Sequence, residues 1–324
     1  MKSKLVSIII PAYNAQDWIE RCLVSCLNQS YQNIEIIVIN DGSTDNTANI
    51  LEKFNVNKLK IFHEKNSGVA IARRKGLDYS RGEYIFFLDS DDFINESALE
   101  ILVTKIDNYN ADVVIAQAKH LKKKSTFTSS FKIEIDPLYS FLNGSLPRTL
   151  WPLLFKRSVI EKNLIPSQYT VSEDYVIMSK IYTLPIKIVV VNDCLYNYVK
   201  HTGSVTANIT SQKYNDHYKA HHYIEKQLFE TLSDKYKISF IRNNLDFLYS
   251  LIIINSPYVS HQMEYIGGKY IKEDINKATR RLSLKKKIIL KLNHVALMRL
   301  GPLRMIILLM RIKTSNIKMI MIIF

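Results

Sequence analysis

The sequence predicts an α/β fold in which helices flank a mostly parallel central sheet, followed by a helical extension toward the C-terminus. Over the first 116 residues, short β-branched runs alternate with segments of helical periodicity, and such alternation is typical of parallel sheets. Two longer helical segments follow between residues 211 and 255. Hydrophobic residues make up 47% and charged residues 23% of the 324 residues, a balance that argues against disordered and fibrous classes.

Each predicted strand of the first 116 residues is a short run rich in β-branched or aromatic residues, and each predicted helix repeats apolar residues at helical spacing. The strands cover 5–10, 34–39, 59–62, 84–88 and 113–116, and the helices cover 17–27, 45–54, 69–79 and 95–108. Ligands of such sheets bind beyond the carboxyl ends of the strands. We therefore expect the polar clusters that follow the first, second and fourth strands to meet at one edge.

The alternation weakens after residue 120. The stretch 122–130, rich in Lys and Ser, is predicted to be an exposed connection, and 137–163 mixes aromatic residues without clear periodicity. A helix is predicted to begin near Ser172, and a strand is predicted at 186–191. The second half of the sheet is therefore less well defined by the sequence than the first.

Cysteine usage and the N-terminal residues favour a cytoplasmic protein. Cys22 and Cys26 are four residues apart in an apolar helical stretch with no His nearby, so we interpret them as buried hydrophobic residues rather than metal ligands. Three cysteines cannot all pair with one another, which fits a reducing compartment. The apolar run that follows the first lysines stops at Pro11 and is too short for a signal peptide.

The net charge of +14 is concentrated at the C-terminal end. Twelve Lys or Arg and no Asp or Glu occur from residue 275 to residue 324, which leaves about +2 for the rest of the chain. A nucleic-acid-binding protein needs a basic groove on its globular part, so this distribution disfavours nucleic acid as a partner. It favours a local anionic partner at the tail.

The last segment, 285–324, is apolar, but Lys and Arg interrupt it too often for a membrane-spanning helix. Arg304, Arg311 and Lys318 are seven residues apart and fall on one helical stripe, while apolar residues cover much of the remaining surface. This pattern predicts a basic amphipathic helix that lies in an anionic membrane interface. The alternative is a core helix with a solvated basic edge.

Three carboxylates, those of Asp89, Asp91 and Asp92, emerge together with Ser90 at the end of a predicted buried strand. Crowded carboxylates repel one another, and a hard divalent cation relieves that repulsion while also binding phosphate oxygens. The spacing therefore suggests a Mg²⁺ or Mn²⁺ site. The alternative is an N-cap for the helix that follows.

Polar segments also follow the first two strands. The segment from Asn40 to Asp45 could be only an Asp-Gly turn and a helix cap, but Asp41 could also accept the imide N–H of a uracil stacked on Tyr13. After the first strand, Pro11 and its neighbours stand where a dinucleotide-binding enzyme has a glycine-rich loop. A nicotinamide or flavin enzyme is therefore disfavoured.

Gly68 and Arg73 place a flexible turn and a cation at the start of a predicted helix. A helix N-terminus with a nearby guanidinium suits the binding of a diphosphate. A solvated basic helix face is the alternative.

Five segments of the sequence occur in the order and spacing found in family 2 glycosyltransferases, and the sequence resembles that family over residues 5–116. The segments are Ile8-Ile9-Ile10-Pro11-Ala12-Tyr13-Asn14, Asn40-Asp41-Gly42-Ser43-Thr44-Asp45, Asn66-Ser67-Gly68 with Ala72-Arg73, Gly82-Glu83-Tyr84-Ile85 and Asp89-Ser90-Asp91-Asp92. Arg74 is a departure, because the family often has Asn at this position.

The resemblance implies the GT-A fold, a Rossmann-like sheet flanked by helices, and a nucleotide-sugar donor, for which we expect a UDP-sugar. It implies Mn²⁺ or Mg²⁺ as the cofactor, with Asp91 as the metal ligand. The residues that it implies for donor binding are Pro11, Tyr13, Asp41, Gly68, Arg73, Asp89 and Ser90.

A shorter resemblance continues downstream. Glu173 and Asp174 resemble the Glu-Asp motif of bacterial family members that build capsules, lipopolysaccharide and teichoic acids, in which the Asp is the base. We therefore predict Asp174 as the catalytic base, the alternative being compensation of a helix dipole by two acids in a first turn. Trp151, Glu173 and His201 are predicted as candidate acceptor or diphosphate contacts.

The predicted organisation is a catalytic domain at 1–210, a helical region at 211–284 and a membrane-associating basic tail at 285–324. Within the catalytic domain, 1–116 is the predicted nucleotide-binding half and 117–210 the acceptor-binding half.

The predicted function is transfer of a sugar, with inversion, to a hydroxyl of a glycan or lipid-linked acceptor in cell-surface polysaccharide synthesis at the inner face of the plasma membrane. A catalytically inactive scaffold of the same fold is one alternative, although the candidate acids are all present. A nucleotidyltransferase is the other, but its glycine-rich, Lys-containing loop is missing after the first strand.

Overall fold

The computed structural model describes most of the chain up to residue 287. The described residues are 3–122, 125–160, 165–166, 171–201, 210–228, 233–253, 256–270, 272–280, 282–283 and 286–287. By compactness, the chain divides into two units, Met1–Glu230 and Thr231–Phe324. Apart from residues 286–287, the predicted basic tail lies outside the described residues, so its membrane role stays a prediction.

Nine strands and seven helices occur in the part of the first unit that the structure describes. The strands are β1 Val6–Ala12, β2 Ile34–Asp41, β3 Leu59–Glu64, β4 Tyr84–Phe87, β5 Phe93–Ile94, β6 Val113–Lys122, β7 Ser125–Thr128, β8 Leu153–Lys156 and β9 Ile188–Val199. The helices are α1 Ile19–Leu27, α2 Thr47–Leu51, α3 Val69–Tyr79, α4 Ala98–Asn108, α5 Pro137–Asn143, α6 Glu173–Ile181 and α7 Ser211–Leu228.

The strands form one sheet in the order β3-β2-β1-β4-β8-β6-β9-β5, and β7 pairs with β6. β1 is parallel to β2 and β4, and β2 is parallel to β3, so the first half is the parallel sheet that the sequence predicts. β8 runs antiparallel between β4 and β6, and β6 is parallel to β9. β4 and β6 therefore point the same way. The carboxyl ends of β1, β2, β4, β6 and β9 consequently lie at one edge.

Helices cover both faces of the parallel half, which explains why every residue of β1 and β2 is buried. Alternate side chains of a strand point to opposite faces. Ile36 and Val38 accordingly pack into the main core with residues of α1 and α4. Ile37 and Ile39 pack against Ala72 of α3 on the other face. The predicted α/β class is confirmed by this arrangement.

β6 continues past the end of β8 as the centre of a three-stranded extension. Residues 113–115 of β6 pair with β8, whereas residues 119–122 pair with β7 on the same side of β6. On the other side, β9 accompanies β6 as far as Val199. The extension therefore passes the edge at which the parallel strands end.

The second unit is helical in its described residues. It contains α8 Asp234–Ile253, α9 Val259–Lys269 and α10 Lys272–Arg280, and α8 contacts both of the others. The two helices predicted between residues 211 and 255 are found as α7 and α8. Among the helices of the described residues, none is both long and apolar enough to cross a bilayer.

The structure differs from the sequence prediction mainly after residue 120. β7 lies in the stretch predicted to be an exposed connection; its residues are exposed but pair with β6. α5 and β8 lie in 137–163, where no element was predicted, and β9 is longer than the predicted 186–191. β7 and β8 have only four residues each, which is too short to show an alternation of apolar and polar side chains. They form strands because they pair with β6.

Candidate active site

The polar loops that follow β1 and β2 are joined by hydrogen bonds at the carboxyl edge of the sheet. The Asn14 backbone N–H donates to Ser43 Oγ at 3.0 Å, and the Thr44 N–H donates to Asn14 Oδ1 at 2.8 Å. Pro11 lies buried within β1, while the Tyr13 side chain just beyond is 51% exposed. The edge therefore presents an exposed aromatic ring beside the loop that carries Asp41.

Asp41, at the end of β2, is buried and fixes the loop before α3. Its Oδ1 accepts from the Ser67 N–H at 2.8 Å, and its Oδ2 accepts from the Gly68 N–H at 2.8 Å. Gly68, which directly precedes α3, has a φ of 91°, and residues other than glycine rarely adopt this value. Both carboxylate oxygens have further lone pairs. Asp41 can therefore also accept a hydrogen bond from the N–H of a nucleobase.

Arg73 of α3 joins three carboxylates that come from two distant parts of the chain. Its Nη2 donates to Asp89 Oδ1 at 2.7 Å, and its Nη1 donates to Glu173 Oε1 at 2.6 Å and to Asp174 Oδ1 at 2.8 Å. The guanidinium is 4% exposed, so these charge-assisted bonds form away from water. The predicted diphosphate contact of Arg73 stays a prediction, since the structure places its charge among the acids.

Asp174, the predicted base, lies in the first turn of α6 beside its partner Glu173. The helix follows Ser172, whose φ of 68° is unusual for a residue with a side chain and whose Oγ hydrogen-bonds His217 Nδ1 of α7 at 3.0 Å. Asp174 Oδ2 accepts from the Leu150 N–H at 3.2 Å. Contacts from α3 and from the segment before β8 thus fix the orientation of this carboxylate, while α7 contacts the residue that precedes the helix.

Burial governs the protonation of the two acids of α6. It raises the pKa of Asp174, although the Arg73 charge opposes the rise and the Asp89 charge adds to it. Burial and the Asp174 charge together raise the pKa of Glu173 to about 8. The Glu173 carboxyl also hydrogen-bonds Asp174 and lowers the pKa of that group. The raised pKa of Glu173 favours its neutral form, and its hydrogen bond to Asp174 favours the ionised form of Asp174.

Asp91 contacts His201 rather than the Arg73 cluster. His201 Nε2 lies 2.9 Å from Asp91 Oδ2, and the His201 ring stacks on Trp18 with ring centroids 4.6 Å apart. Arg21 donates from Nη2 to the Asp91 carbonyl oxygen at 2.8 Å. Burial raises the pKa of Asp91, and the nearby charge of Asp89 raises it further. A cation near this carboxylate would be stabilised by the same negative charges.

Asp92 is directed into the sheet rather than toward the edge. It is fully buried, its Oδ2 accepts from the Tyr196 hydroxyl at 2.6 Å, and its Oδ1 accepts from the Val199 N–H at 2.7 Å. Burial raises the pKa of Asp92 well above its usual range. Asp92 therefore attaches the segment after β4 to β9, while Asp89, Ser90 and Asp91 remain half-buried at the edge.

Trp151 lies in a stack of aromatic rings. Its ring stacks on Tyr196 and Tyr198 with centroid separations of 4.9 Å and 5.0 Å. It directly follows Leu150, whose N–H binds the predicted base. The structure thus brings the three candidate contacts Trp151, Glu173 and His201 to the carboxyl edge, in three different surroundings.

A divalent metal fits the donor atoms at Asp91 if the nucleotide supplies part of its coordination. The described residues contain no group of three or more His, Cys, Asp or Glu side chains placed to hold a metal ion. Mg²⁺ is commonly held by one or two carboxylates together with substrate phosphate oxygens, and Mn²⁺ also prefers such oxygen ligands. Asp91, with His201 beside it, matches such a partial set.

Sequence reasoning did not find several residues that shape this site. It did not single out Trp18 under His201, the Leu150 N–H on Asp174, or the link from Arg73 to Asp174, which are 101 residues apart. A pattern of neighbouring residues in the sequence does not indicate contacts between residues that are far apart along the chain. The upstream motifs do carry a local signal, and those that begin at Asn40 and Asp89 directly follow predicted strands.

Comparisons with known proteins agree with the motif resemblance. The profile of Glycosyl transferase family 2 matches residues 7–160. A cholesterol galactosyltransferase of Borreliella burgdorferi is 32% identical over 225 residues, which cover 63% of each protein. The glycosyltransferase GlyG of Streptococcus pneumoniae is 31% identical over 220 residues, which cover 63% of this chain and 73% of GlyG. The chain therefore spans less than two thirds of the length of the first of these relatives.

A solved structure supports the fold. The crystal structure of S. aureus TarS 1–349 in complex with UDP-GlcNAc matches with a TM-score of 0.69 at 24% identity, over 86% of this chain and 83% of that chain. The sheet order, the family profile and the extent of the GlyG alignment agree with one another. The chain thus belongs to glycosyltransferase family 2 and has the GT-A fold.

Proposed function

We propose that this protein transfers a sugar from a nucleotide-sugar, with UDP as the expected nucleotide, to a hydroxyl of a glycan or lipid-linked acceptor with inversion at the anomeric carbon. The role fits cell-surface polysaccharide synthesis. The observation that carries the proposal is the convergence of Asp41, Asp91 and Asp174 at one edge of the sheet, with Arg73 between the donor-side acid Asp89 and the base.

The donor side of the proposed site is the edge formed by the loops after β1, β2 and β4. Tyr13 offers an exposed ring on which the uracil of the nucleotide can stack, and Asp41 offers a lone pair to the imide N–H of that uracil. Pro11, Gly68, Asp89 and Ser90 shape the surface around the sugar and diphosphate. Asp91 would hold the divalent metal, Mn²⁺ or Mg²⁺, which supplies Lewis-acid assistance to the departing diphosphate when bound.

The acceptor side is the face of the edge that carries Asp174. In an in-line displacement, the acceptor hydroxyl approaches the anomeric carbon from the side opposite the leaving group and loses its proton to a base. An ordinary Asp is a weak base in water, and burial of Asp174 raises its pKa toward the working range. The Arg73 charge and the hydrogen bond from Glu173 oppose that rise in pKa and favour the ionised carboxylate, which is the form that accepts a proton.

The test is a screen of UDP-glucose, UDP-galactose, UDP-N-acetylglucosamine, GDP-mannose and dTDP-glucose for hydrolysis by the full chain with Mn²⁺. We expect a UDP-sugar to be hydrolysed, and Asp174→Asn to lower turnover by at least about 10²-fold, the usual contribution of a general base. The affinity for UDP should be nearly unchanged, because Asp174 lies on the acceptor side.

Asp193→Asn is the matched control, since Asp193 is an exposed acid of β9, and it should hydrolyse the donor like the wild type. Full turnover by Asp174→Asn would remove Asp174 from the role of base. Full turnover in excess chelator would remove the metal. Hydrolysis of none of the five donors, together with a lack of UDP binding, would contradict the proposed activity.

A further inference from the structure

Trp18 occupies the N-cap position of α1, where helix structure does not call for tryptophan. N-cap positions favour side chains with an oxygen that accepts a hydrogen bond from the free N–H groups of the first turn, and indole has only a donor. Within the described residues around α1, the Trp18 side chain accordingly makes no capping hydrogen bond. The reason for this residue type must therefore lie in what its ring contacts.

The hydrophobic core does not account for Trp18 either. Ile19, the next residue, is fully buried in the main core, whereas Trp18 is half-buried and lies outside that core as the described residues define it. The Trp18 backbone is nevertheless held on both sides. Its N–H donates to the Ala15 carbonyl at 2.9 Å, and its carbonyl accepts from the Cys22 N–H at 3.1 Å. A fixed backbone thus presents the indole ring outside the core.

The indole ring holds the side chain that contacts Asp91. The rings of Trp18 and His201 are stacked, with centroids 4.6 Å apart and planes 29° from parallel. His201 Nε2 lies 2.9 Å from Asp91 Oδ2. A histidine side chain can rotate about two bonds, and a stacked partner restricts that rotation. Trp18 therefore supports the orientation in which the imidazole faces the Asp91 carboxylate.

Arg21, one turn further along α1, contacts the same place from the backbone side. Its guanidinium carbon lies 5.3 Å from the centroid of the Trp18 ring and 4.7 Å from that of Phe93, both within the range of cation–π attraction. Its Nη2 donates to the Asp91 carbonyl oxygen at 2.8 Å. The start of α1 thus contacts Asp91 twice, through the Asp91 backbone and through His201.

We infer that Trp18 is a positioning residue of the Asp91 centre. By holding the His201 ring against Asp91, it keeps an imidazole and a carboxylate together as a pair for the divalent metal that accompanies the nucleotide diphosphate. The inference rests on the proposed function, since it assigns a support to the metal of that reaction. Trp18 acts only through His201. Groups that orient metal ligands in this way typically contribute about 10–100-fold to metal affinity.

The test measures Mn²⁺ binding rather than turnover. Electron paramagnetic resonance of free Mn²⁺ gives the affinity of the full chain for Mn²⁺, with the chain in excess over UDP so that nearly all UDP is bound. We expect Trp18→Ala to weaken Mn²⁺ binding by about tenfold or more, while the affinity for UDP without metal stays like that of the wild type. Trp18→Phe keeps an aromatic face for His201 and should retain most of the Mn²⁺ affinity, whereas Trp18→Leu should not.

A double-mutant cycle tests whether Trp18 acts through His201. His201→Ala alone should also weaken Mn²⁺ binding, and Trp18→Ala should cause no further loss once His201 has been replaced. A role of Trp18 in the structure of α1 alone would instead give losses that add. Tyr109→Ala is the matched control, because Tyr109 is 50% exposed at the end of α4, and it should bind Mn²⁺ like the wild type.

Unchanged Mn²⁺ affinity in both Trp18→Ala and Trp18→Leu would overturn the inference. Additive losses in the cycle, an equal loss in Tyr109→Ala or a lack of Mn²⁺ binding by the wild type would overturn it as well. Circular dichroism identifies a variant that has not folded, and Trp18→Leu then takes the place of Trp18→Ala in the cycle. Failure of donor hydrolysis with the expected changes in Mn²⁺ binding intact would contradict the proposed transfer but not the role of Trp18.

Discussion

At the scale of single residues, Arg73 determines how the acids of the site can coexist. Three ionised carboxylates around one buried guanidinium would leave two uncompensated negative charges, which is costly away from water. The raised pKa of Glu173 favours its neutral form, which removes one of them. Lys could not replace Arg73, because a single ammonium lacks the planar fork that reaches Asp89 on one side and the acids of α6 on the other.

The protonation of Glu173 makes the stability of the fold depend on pH. Burial and the Asp174 charge raise its pKa from the ordinary 4.5 to about 8. Between these values the folded chain holds a proton that the unfolded chain has lost. The folded state therefore binds more protons, and the free energy of unfolding contributed by this group falls as pH rises through the window.

We predict that Glu173→Gln becomes increasingly stable relative to the wild type as pH rises from about 4.5 to about 8. Gln resembles the protonated acid and does not titrate. One proton sets the upper limit of the effect at about 1.4 kcal/mol per pH unit. The measurement is the free energy of unfolding in urea for both proteins at each pH, with Glu20→Gln, a change at an exposed position of α1, as the control.

A stability difference that stays constant across this window would mean that Glu173 is ionised in the folded protein. The three carboxylates around Arg73 would then need a second source of positive charge to balance them. A change of similar size in Glu20→Gln would instead point to a general effect of charge on the fold.

At the scale of secondary structure, α3 links the packing of the sheet to the site. One side of the helix carries Ala72 and Gly76 against β1 and β2, and Arg73 reaches from the same helix to the acids. A Cβ at Gly76 would lie 2.3 Å from Ile9 Cγ2 and 3.6 Å from Ile39 Cγ1. The close approach of α3 to the sheet therefore depends on glycine at this position.

We predict that Gly76→Ala destabilises the protein by about 1–3 kcal/mol, because the cost of overpacking exceeds the gain of about 1 kcal/mol in helix propensity. Gly267→Ala is the matched change in α9, where a Cβ would meet no atom within 4 Å, and it should be stabilising by about 0.5–1 kcal/mol. Urea unfolding of the two variants measures both effects. Equal effects of the same sign would show that propensity alone decides and that α3 can shift away from the sheet.

The elements that the sequence predicts well are those defined by local pattern. The helix at 69–79 has the predicted bounds, and the strands near Ile8 and Ile36 are continuous apolar runs that can only be buried. β8 and β7 were missed because each is short and depends on pairing with β6. Asp91 could be singled out at the end of a strand, whereas its contact with His201 depends on the path of β9.

At the scale of the whole molecule, the charges and the chemistry occupy different parts of the chain. The residues of the proposed site all lie in the first unit, within Met1–Glu230. Twelve of the basic residues lie between residues 275 and 324, and most of that segment is outside the described residues. An acceptor that is linked to a lipid would require the site to work close to a bilayer, and a basic tail is one way to keep it there.

We predict that the full chain binds vesicles of phosphatidylcholine with phosphatidylglycerol and not vesicles of phosphatidylcholine alone. Each Lys or Arg near an anionic surface contributes about 1 kcal/mol, so reversing three of them should weaken binding by on the order of a hundredfold or more. The variant is Arg304→Glu with Arg311→Glu and Lys318→Glu, which reverses the predicted basic stripe. Vesicle co-sedimentation measures binding, which should also fall with salt because the attraction is screened.

The matched control for the tail is Lys53→Glu with Lys219→Glu and Lys226→Glu. These three lysines are exposed in the first unit, so the change in net charge is the same while the predicted stripe stays intact. The control should keep most of the binding. Charges of a helix that lies in the interface are close to the lipid headgroups, whereas charges elsewhere on the protein are farther away and are screened by salt. Equal loss in the two triple variants would mean that net charge alone attracts the protein. Unchanged binding after reversal of the stripe would mean that this segment packs as a core helix with a solvated basic edge.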